Sequence, residues 1–144
     1  MQMLLHTDFL LDSCTAKGVN NGDKLLELCR KKKLKGWVTA FSLIRIAEKV
    51  RGKLGAEKLD DWLRVVVILP LTGREIRDSL FSFDAGVEEL LSVHAAQALG
   101  LAGVITLNPG AFEGMSAKAC RPQEVLALIE KGETVYKVPQ INLQ

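Results

Sequence analysis

The side chains able to do chemistry in this chain are few, and most of them are acids. Asp8 and Asp12 stand one helical turn apart after the first apolar run, Glu48 lies in the third predicted helix, and Asp84, Glu88 and Glu89 come just before or within the first turn of a long apolar helix. Acids drawn from separate elements onto one crevice can hold Mg²⁺ or Mn²⁺ through hard oxygen ligands. A divalent ion held there polarises a phosphodiester and activates water. Other chemistries lack their residues. Two histidines, His6 and His94, and three widely spaced cysteines, Cys14, Cys29 and Cys120, provide neither a histidine-rich metal site nor a C-x-x-C pair. No G-x-G-x-x-G follows the first strand, and neither a P-loop nor a G-x-S-x-G nucleophile elbow occurs. A response-regulator reading needs an Asp at the end of the central apolar strand, where Pro70 stands instead.

Each of these residues also has a plainer reading. Asp8 can cap a helix, Asp12 can face solvent, and Glu48 can pair with Arg45 or Arg51 along a helix. Glu88 and Glu89 suit a helix N-terminus without any metal. Asp84 reads as a loop or cap residue before Gly86, and Asn108 before Pro109 as a turn residue. His6 stands at a strand end, where a hydrogen-bonded structural imidazole is the simpler account, and His94 lies among Leu90, Leu91 and Ala95 as a core or interface residue. The cysteines read as reduced thiols of a cytosolic protein.

The elements that would position these groups alternate in type. Met3-Leu4-Leu5 reads as a buried strand ending near His6, followed by a short helix through Phe9-Leu10-Leu11. Asn20-Asn21-Gly22-Asp23 reads as a turn capping a helix with Leu25, Leu26 and Cys29 on one face. Arg30-Lys31-Lys32-Lys33, with Lys35 beyond, closes that helix, where cations oppose the negative end of its dipole. The run can contact phosphates, although a solvated helix end explains it too. Trp37-Val38-Thr39 reads as a strand, Ala40 to about Gly52 as a helix, and Gly55 as the separator before a helix carrying Leu59, Trp62 and Leu63. Val65–Leu69 is β-branched and apolar throughout, the pattern of a strand covered on both faces. Thr72 and Glu75 form a capping box for a helix to about Phe81. Val87 to near Gly100 is a longer helix, Gly103–Leu107 a strand, Lys118-Ala119-Cys120 a short last strand, and Pro122 opens a final helix. Residues 1–131 form one domain on this reading, and 132–144 an extended C-terminal tail.

This alternation predicts a three-layer α/β/α sandwich around a parallel sheet, with ligands at the carboxyl ends of its strands. The chain has 144 residues, enough for one core, with 48% apolar and 25% charged residues. The formal charge of +2 gives no general attraction to nucleic acid or anionic membranes, but leaves room for a local patch. No apolar run is long enough to span a bilayer. The amino terminus lacks a basic region and Asp8 breaks its apolar stretch, so neither a secretory leader nor a membrane anchor is expected, and a cytoplasmic location is.

The segment Leu4-Leu5-His6-Thr7-Asp8-Phe9-Leu10-Leu11-Asp12 resembles the opening of PIN domains, an apolar strand followed by Asp-Thr-Asn/Asp and further apolar residues. The stretch from Glu89 through Ala95-Ala96 to Gly103-Val104-Ile105-Thr106-Leu107-Asn108-Pro109-Gly110-Ala111-Phe112 resembles their close, an acid opening a helix with small residues and a strand ending in Thr-x-Asp/Asn before Phe. The resemblance covers roughly residues 1–130. It implies a five-stranded parallel sheet ordered 3-2-1-4-5, a Mg²⁺/Mn²⁺-dependent endoribonuclease, often the toxin of a toxin–antitoxin pair, and a homodimer. It implies RNA as substrate and an antitoxin-like protein as partner.

Carried over residue by residue, the resemblance makes Asp8, Glu89 and Asn108 the metal-binding and catalytic positions, with Glu48 or Asp12 as further acids. The family's first Asp falls on His6, and its helix-three Glu falls on Arg45, with Glu48 one turn on. Imidazole suits Mg²⁺ poorly. A guanidinium ~4 Å from a cation repels it by about 4 kcal/mol at intermediate dielectric. The expectation is a divergent PIN-like domain in which Arg45, with His6, replaces the metal as counter-charge to Asp8 and Glu89, nuclease activity is weak or lost, and RNA or protein binding is retained. The alternatives are an active metal-dependent endoribonuclease of toxin type and a dimeric protein-interaction module.

Overall fold

A computed structural model describes residues 1–15, 21–80 and 86–142. Five strands, β1 (Gln2–Leu5), β2 (Lys35–Thr39), β3 (Val67–Leu69), β4 (Gly103–Ile105) and β5 (Ala119–Cys120), form one parallel sheet ordered β3-β2-β1-β4-β5. The described helices are α1 (Thr7–Cys14), α2 (Gly22–Arg30), α3 (Ala40–Lys49), α4 (Gly52–Leu63), α5 (Gly73–Leu80), α6 (Val87–Leu99) and α7 (Pro122–Asn142), and a 3₁₀ turn spans Pro109–Phe112. The expected α/β/α sandwich and strand order are both present.

Alternation along the strands builds two cores. Met3, Leu5, Val38 and Ile105 face one side and pack with Phe9, Leu25, Ile46, Trp62 and Val125, under α1–α4 and α7. Leu4 and Val104 face the other and pack with Val93, Ala96 and Phe112, under α6 and the 3₁₀ turn. Leu4 and Leu5 are fully buried because β1 lies at the centre of the sheet. Trp62 is 1% exposed, and its indole N–H donates to Ser13 Oγ at 2.8 Å, so this large ring is buried without an orphaned donor. Gly103 admits no larger residue, since a Cβ there would collide with the Lys118 carbonyl where β4 meets β5. Right-handed crossovers carry the chain from β1 outward to β3 over one face and back to β4 over the other. The strand order therefore reverses between β1 and β4, where a crevice opens at the strand ends.

Several expectations are corrected. The apolar run Val65–Leu69 gives only the three-residue β3, and it is the edge strand, with Ile68 46% exposed. Val65 and Val66 instead close the end of α4 by donating to the Trp62 carbonyl. Gly55 does not separate two helices. It lies inside α4, where a Cβ would meet Val50 Cγ1 at 2.9 Å and the Cys14 carbonyl at 3.2 Å, so it lets α4 pack onto α1. Leu63 turns outward and is 38% exposed, while Trp62 takes the core position. The segment from Gly132, expected as an extended tail, continues α7 to Asn142. Val125 and Ile129 dock the first turns, and beyond them the residues other than Pro139, which has no N–H, can each add a hydrogen bond, while Gly132 costs only about 1 kcal/mol against it. Phe81, the expected end of α5, and Asp84 lie outside the described residues. No described helix is long and apolar enough to cross a membrane.

Candidate functional site

At the carboxyl ends of β1 and β4 lies a cavity of about 360 Å³, lined by His6, Thr7, Asp8, Leu11, Lys49, Glu88, Glu89, Thr106, Asn108, Ala111 and Phe112. Three of the expected residues, Asp8, Glu89 and Asn108, meet there, as does His6. Glu48 is exposed and does not line it, because the turn of α3 that brings Lys49 to the cavity points Glu48 away. Asp12 is half-buried one turn further along α1 and is also outside the lining.

His6 is the last residue before α1 and its N-cap position, at φ −78° and ψ 157°. Its backbone N–H donates to the Ile105 carbonyl at 2.9 Å, extending the β1–β4 pairing by one residue. The side chain does not cap the helix. It is 4% exposed, with Nδ1 2.9 Å from Ser92 Oγ, Nε2 3.9 Å from Glu89 Oε1, and the ring edge-on to Phe112 at 5.1 Å. The imidazole thus ties β1 to α6, as a structural histidine does.

Asp8 is not the cap of α1 but its second residue, so the capping expectation is corrected. Its carboxylate bridges two strand ends instead. Oδ2 accepts from Thr106 Oγ1 at 2.6 Å and from the Leu107 backbone N–H at 3.1 Å, and Oδ1 accepts from the Phe9 N–H at 2.6 Å. Thr106 is fully buried, and its hydroxyl also accepts from the Asn108 N–H at 3.1 Å. The Thr-x-Asn segment therefore works as a clamp: one hydroxyl holds the acid above and the turn below. Three donors on a carboxylate with about four lone-pair positions leave it nearly saturated.

The remaining acids come from the start of α6, whose N-cap is Gly86. Glu88 and Glu89 fall in its first turn, where the unpaired N–H groups favour negative charge. Glu89 folds back over Gly86 so closely that any Cβ at 86 would collide with its carboxylate. Glu88 Oε1 lies 3.1 Å from Arg45 Nε. Arg45 and Lys49 reach the strand ends because α3 is fixed at its start. Thr39 is its N-cap and accepts from the Ser42 N–H at 3.1 Å, while Ser42 Oγ accepts from Thr7 Oγ1 at 2.8 Å. The expected counter-charge arrangement is thereby redistributed. Arg45 answers Glu88 rather than Asp8 or Glu89, His6 Nε2 stands 3.9 Å from Glu89, and Asp8 is held by uncharged donors.

Lys49 is the lining residue that sequence reasoning missed. Its signal was available, because it lies one helical turn after Arg45 on the same face of α3. His94 lines a different cavity, about 450 Å³, between the ends of β2 and β3 and helices α5 and α6, with Leu69, Arg74 and Leu91.

A divalent hard cation needs several oxygens with free lone pairs facing one point. The donor set here does not supply them. Asp8 has one lone-pair position left, Glu88 is engaged by a guanidinium, and Glu89 faces an imidazole. Among the described residues no three His, Cys, Asp or Glu side chains converge as a metal-binding group. The cysteines are buried thiols: burial pushes Cys14 and Cys29 each up to about 11 and raises Cys120. No protein-family model matches the chain, and no curated protein matches it either.

Proposed function

We propose that this chain is a divergent PIN-like domain in which divalent-metal phosphodiester hydrolysis has lapsed and RNA binding is retained. The observation that carries this reading is the internal compensation of the strand-end acids. Thr106, Leu107 and Phe9 satisfy Asp8, Arg45 engages Glu88, and His6 stands beside Glu89. A metal-dependent nuclease needs these charges free to hold its cation, and here each faces a partner within the fold. The two motifs that suggest the family, one around His6-Thr7-Asp8 and one around Thr106-Leu107-Asn108, meet at a single clamp, so both are retained for a structural reason even without catalysis.

The test is cleavage of single-stranded RNA with and without Mn²⁺, comparing the native chain with Asp8→Asn and Glu89→Gln. The expected outcome is no Mn²⁺-dependent cleavage above background in any of the three, and no saturable Mn²⁺ binding by calorimetry. Mn²⁺-dependent cleavage that disappears in Asp8→Asn would overturn the reading and restore the active endoribonuclease.

A further inference from the structure

At the opposite end of the sheet, where β2 and β3 begin, the chain gathers cations around a groove of about 470 Å³ whose walls include Arg30, Lys32, Lys35 and Arg64, over apolar Val65 and Val67. Lys31 and Lys33 flank it, so six cations collect where α2 and α4 end. Among the described residues, Arg30 lies between Glu27 at 3.5 Å and Asp61 at 3.7 Å, and Arg64 Nε is 3.0 Å from Asp60. Two helix C-termini attract cations, but that attraction does not account for where they sit. Lys32 occupies the position just past the C-cap of α2 at φ +61°, the left-handed conformation for which glycine is the strain-free residue. Helix α6 ends at Gly100 with nearly the same φ, +63°. The chain thus uses glycine at one left-handed helix end and a strained lysine at the other. Lys35 lies with Nζ 4.7 Å from the ring centroid of half-buried Trp37, so an aromatic face adjoins the cations.

We infer that this amino-end groove is the surface on which the domain holds single-stranded RNA. Phosphates would pair with Lys31, Lys32 and Lys35, and with the Nη groups of Arg64, whose Nε Asp60 takes, while a base takes the Trp37 face that Lys35 now covers. Alternating anionic and planar apolar groups are what a nucleic acid strand offers; an acidic polypeptide offers only the charge. The inference takes its ligand class from the proposed function and adds the location, away from the strand-end cavity.

The test is fluorescence anisotropy of a labelled uridine oligonucleotide across a salt series. Four phosphate contacts give a slope of log K against log salt of roughly −3. Lys32→Glu with Lys35→Glu is expected to weaken binding at least tenfold and flatten the slope, while Lys53→Glu with Lys118→Glu, the same charge change on other surfaces, leaves both unchanged. Lys32→Gly, which relieves the backbone, provides a variant that folds at least as well as the native chain and still binds more weakly. Absence of salt-dependent binding would overturn the inference. So would polyglutamate competing as well as RNA, or binding lost in Lys49→Glu but not in the groove variants, which would move the RNA to the strand-end cavity. Mn²⁺-dependent cleavage with groove binding intact would sink the proposed function and leave this location standing.

Discussion

The two ends of the sheet handle charge in opposite ways. At the carboxyl ends of β1 and β4, Asp8, Glu88 and Glu89 line one cavity: Asp8 is met by three donors, Glu88 by the Arg45 guanidinium, and Glu89 has the His6 imidazole 3.9 Å away. At the amino ends of β2 and β3, Lys31, Lys32, Lys35 and Arg64 gather at one groove, and one of them, Lys32, sits in strained backbone. Convergence of like charges is therefore not by itself the mark of a working site. Compensated charge stabilises the fold, whereas uncompensated charge at the surface remains available for a partner.

Breaking the compensation gives the largest effect. Asp8→Ala removes the acceptor of the buried Thr106 hydroxyl and the Leu107 N–H, and is expected to destabilise the chain by about 3 kcal/mol, a fall in melting temperature of roughly 8 °C. Thermal denaturation checks this. If Asp8 stood in a cluster of mutually repelling acids, its removal would raise stability instead, and that result would break the contrast between the two ends.

Lys32→Gly acts in the other direction. It removes the Cβ strain at φ +61° and is expected to stabilise by about 1 kcal/mol, read from the urea midpoint at unchanged slope. A gain in stability coupled to a loss of RNA affinity would separate the folding and binding roles of that position. For Arg45 and Glu88, whose side chains are 42% and 22% exposed, a double-mutant cycle is expected to give a coupling of about 0.5 kcal/mol. This pair closes the cavity electrostatically more than it holds the fold.

The smallest effect concerns the thiols. Cys29 lines the amino-end groove, and Cys14 lies in the core at the end of α1. Both are raised by burial to about 11, so the folded state favours the protonated form. Their contribution to stability is fully present below about pH 9, the ordinary thiol value, and is lost as pH climbs through about 11. Alkylation of both is expected to be slow at pH 8 and to rise together between pH 9 and 11. Faster labelling of Cys29 alone would mean that the groove opens into the core.

Periodicity and turn chemistry made most of the elements readable. The reach-back half of the expected Thr72–Glu75 capping box is present, with Glu75 Oε2 accepting the Thr72 N–H at 3.1 Å while the Thr72 hydroxyl donates to the same carboxylate, and Gly100 ends α6 in the left-handed conformation. Asp8, His6, Glu89 and Asn108 were identifiable because each flanks a strand end or opens a helix. Lys49 was missed although its spacing puts it on the same face of α3 as Arg45, because that face points at no particular site until the helix is placed. Arg45 was recognised but given the wrong partner, because which of three nearby acids a guanidinium reaches depends on how α3 and α6 cross the strand ends. Val65–Leu69 misled for a related reason: an apolar run reports strand propensity, whereas burial depends on whether a neighbour covers the strand.

The sequence by itself determined the alternation of strands and helices, the parallel sheet between two helical layers, and the collection of acids near one set of strand ends. Those follow from short-range periodicity and capping, which act along the chain. Only the tertiary structure decided that β3 lies at the edge, that Asp8 is saturated by Thr106 and Leu107, and that Arg64 joins Lys32 and Lys35 at one groove. These depend on distances between residues far apart in sequence, and at such distances an angstrom separates a hydrogen-bonded carboxylate from one free to bind.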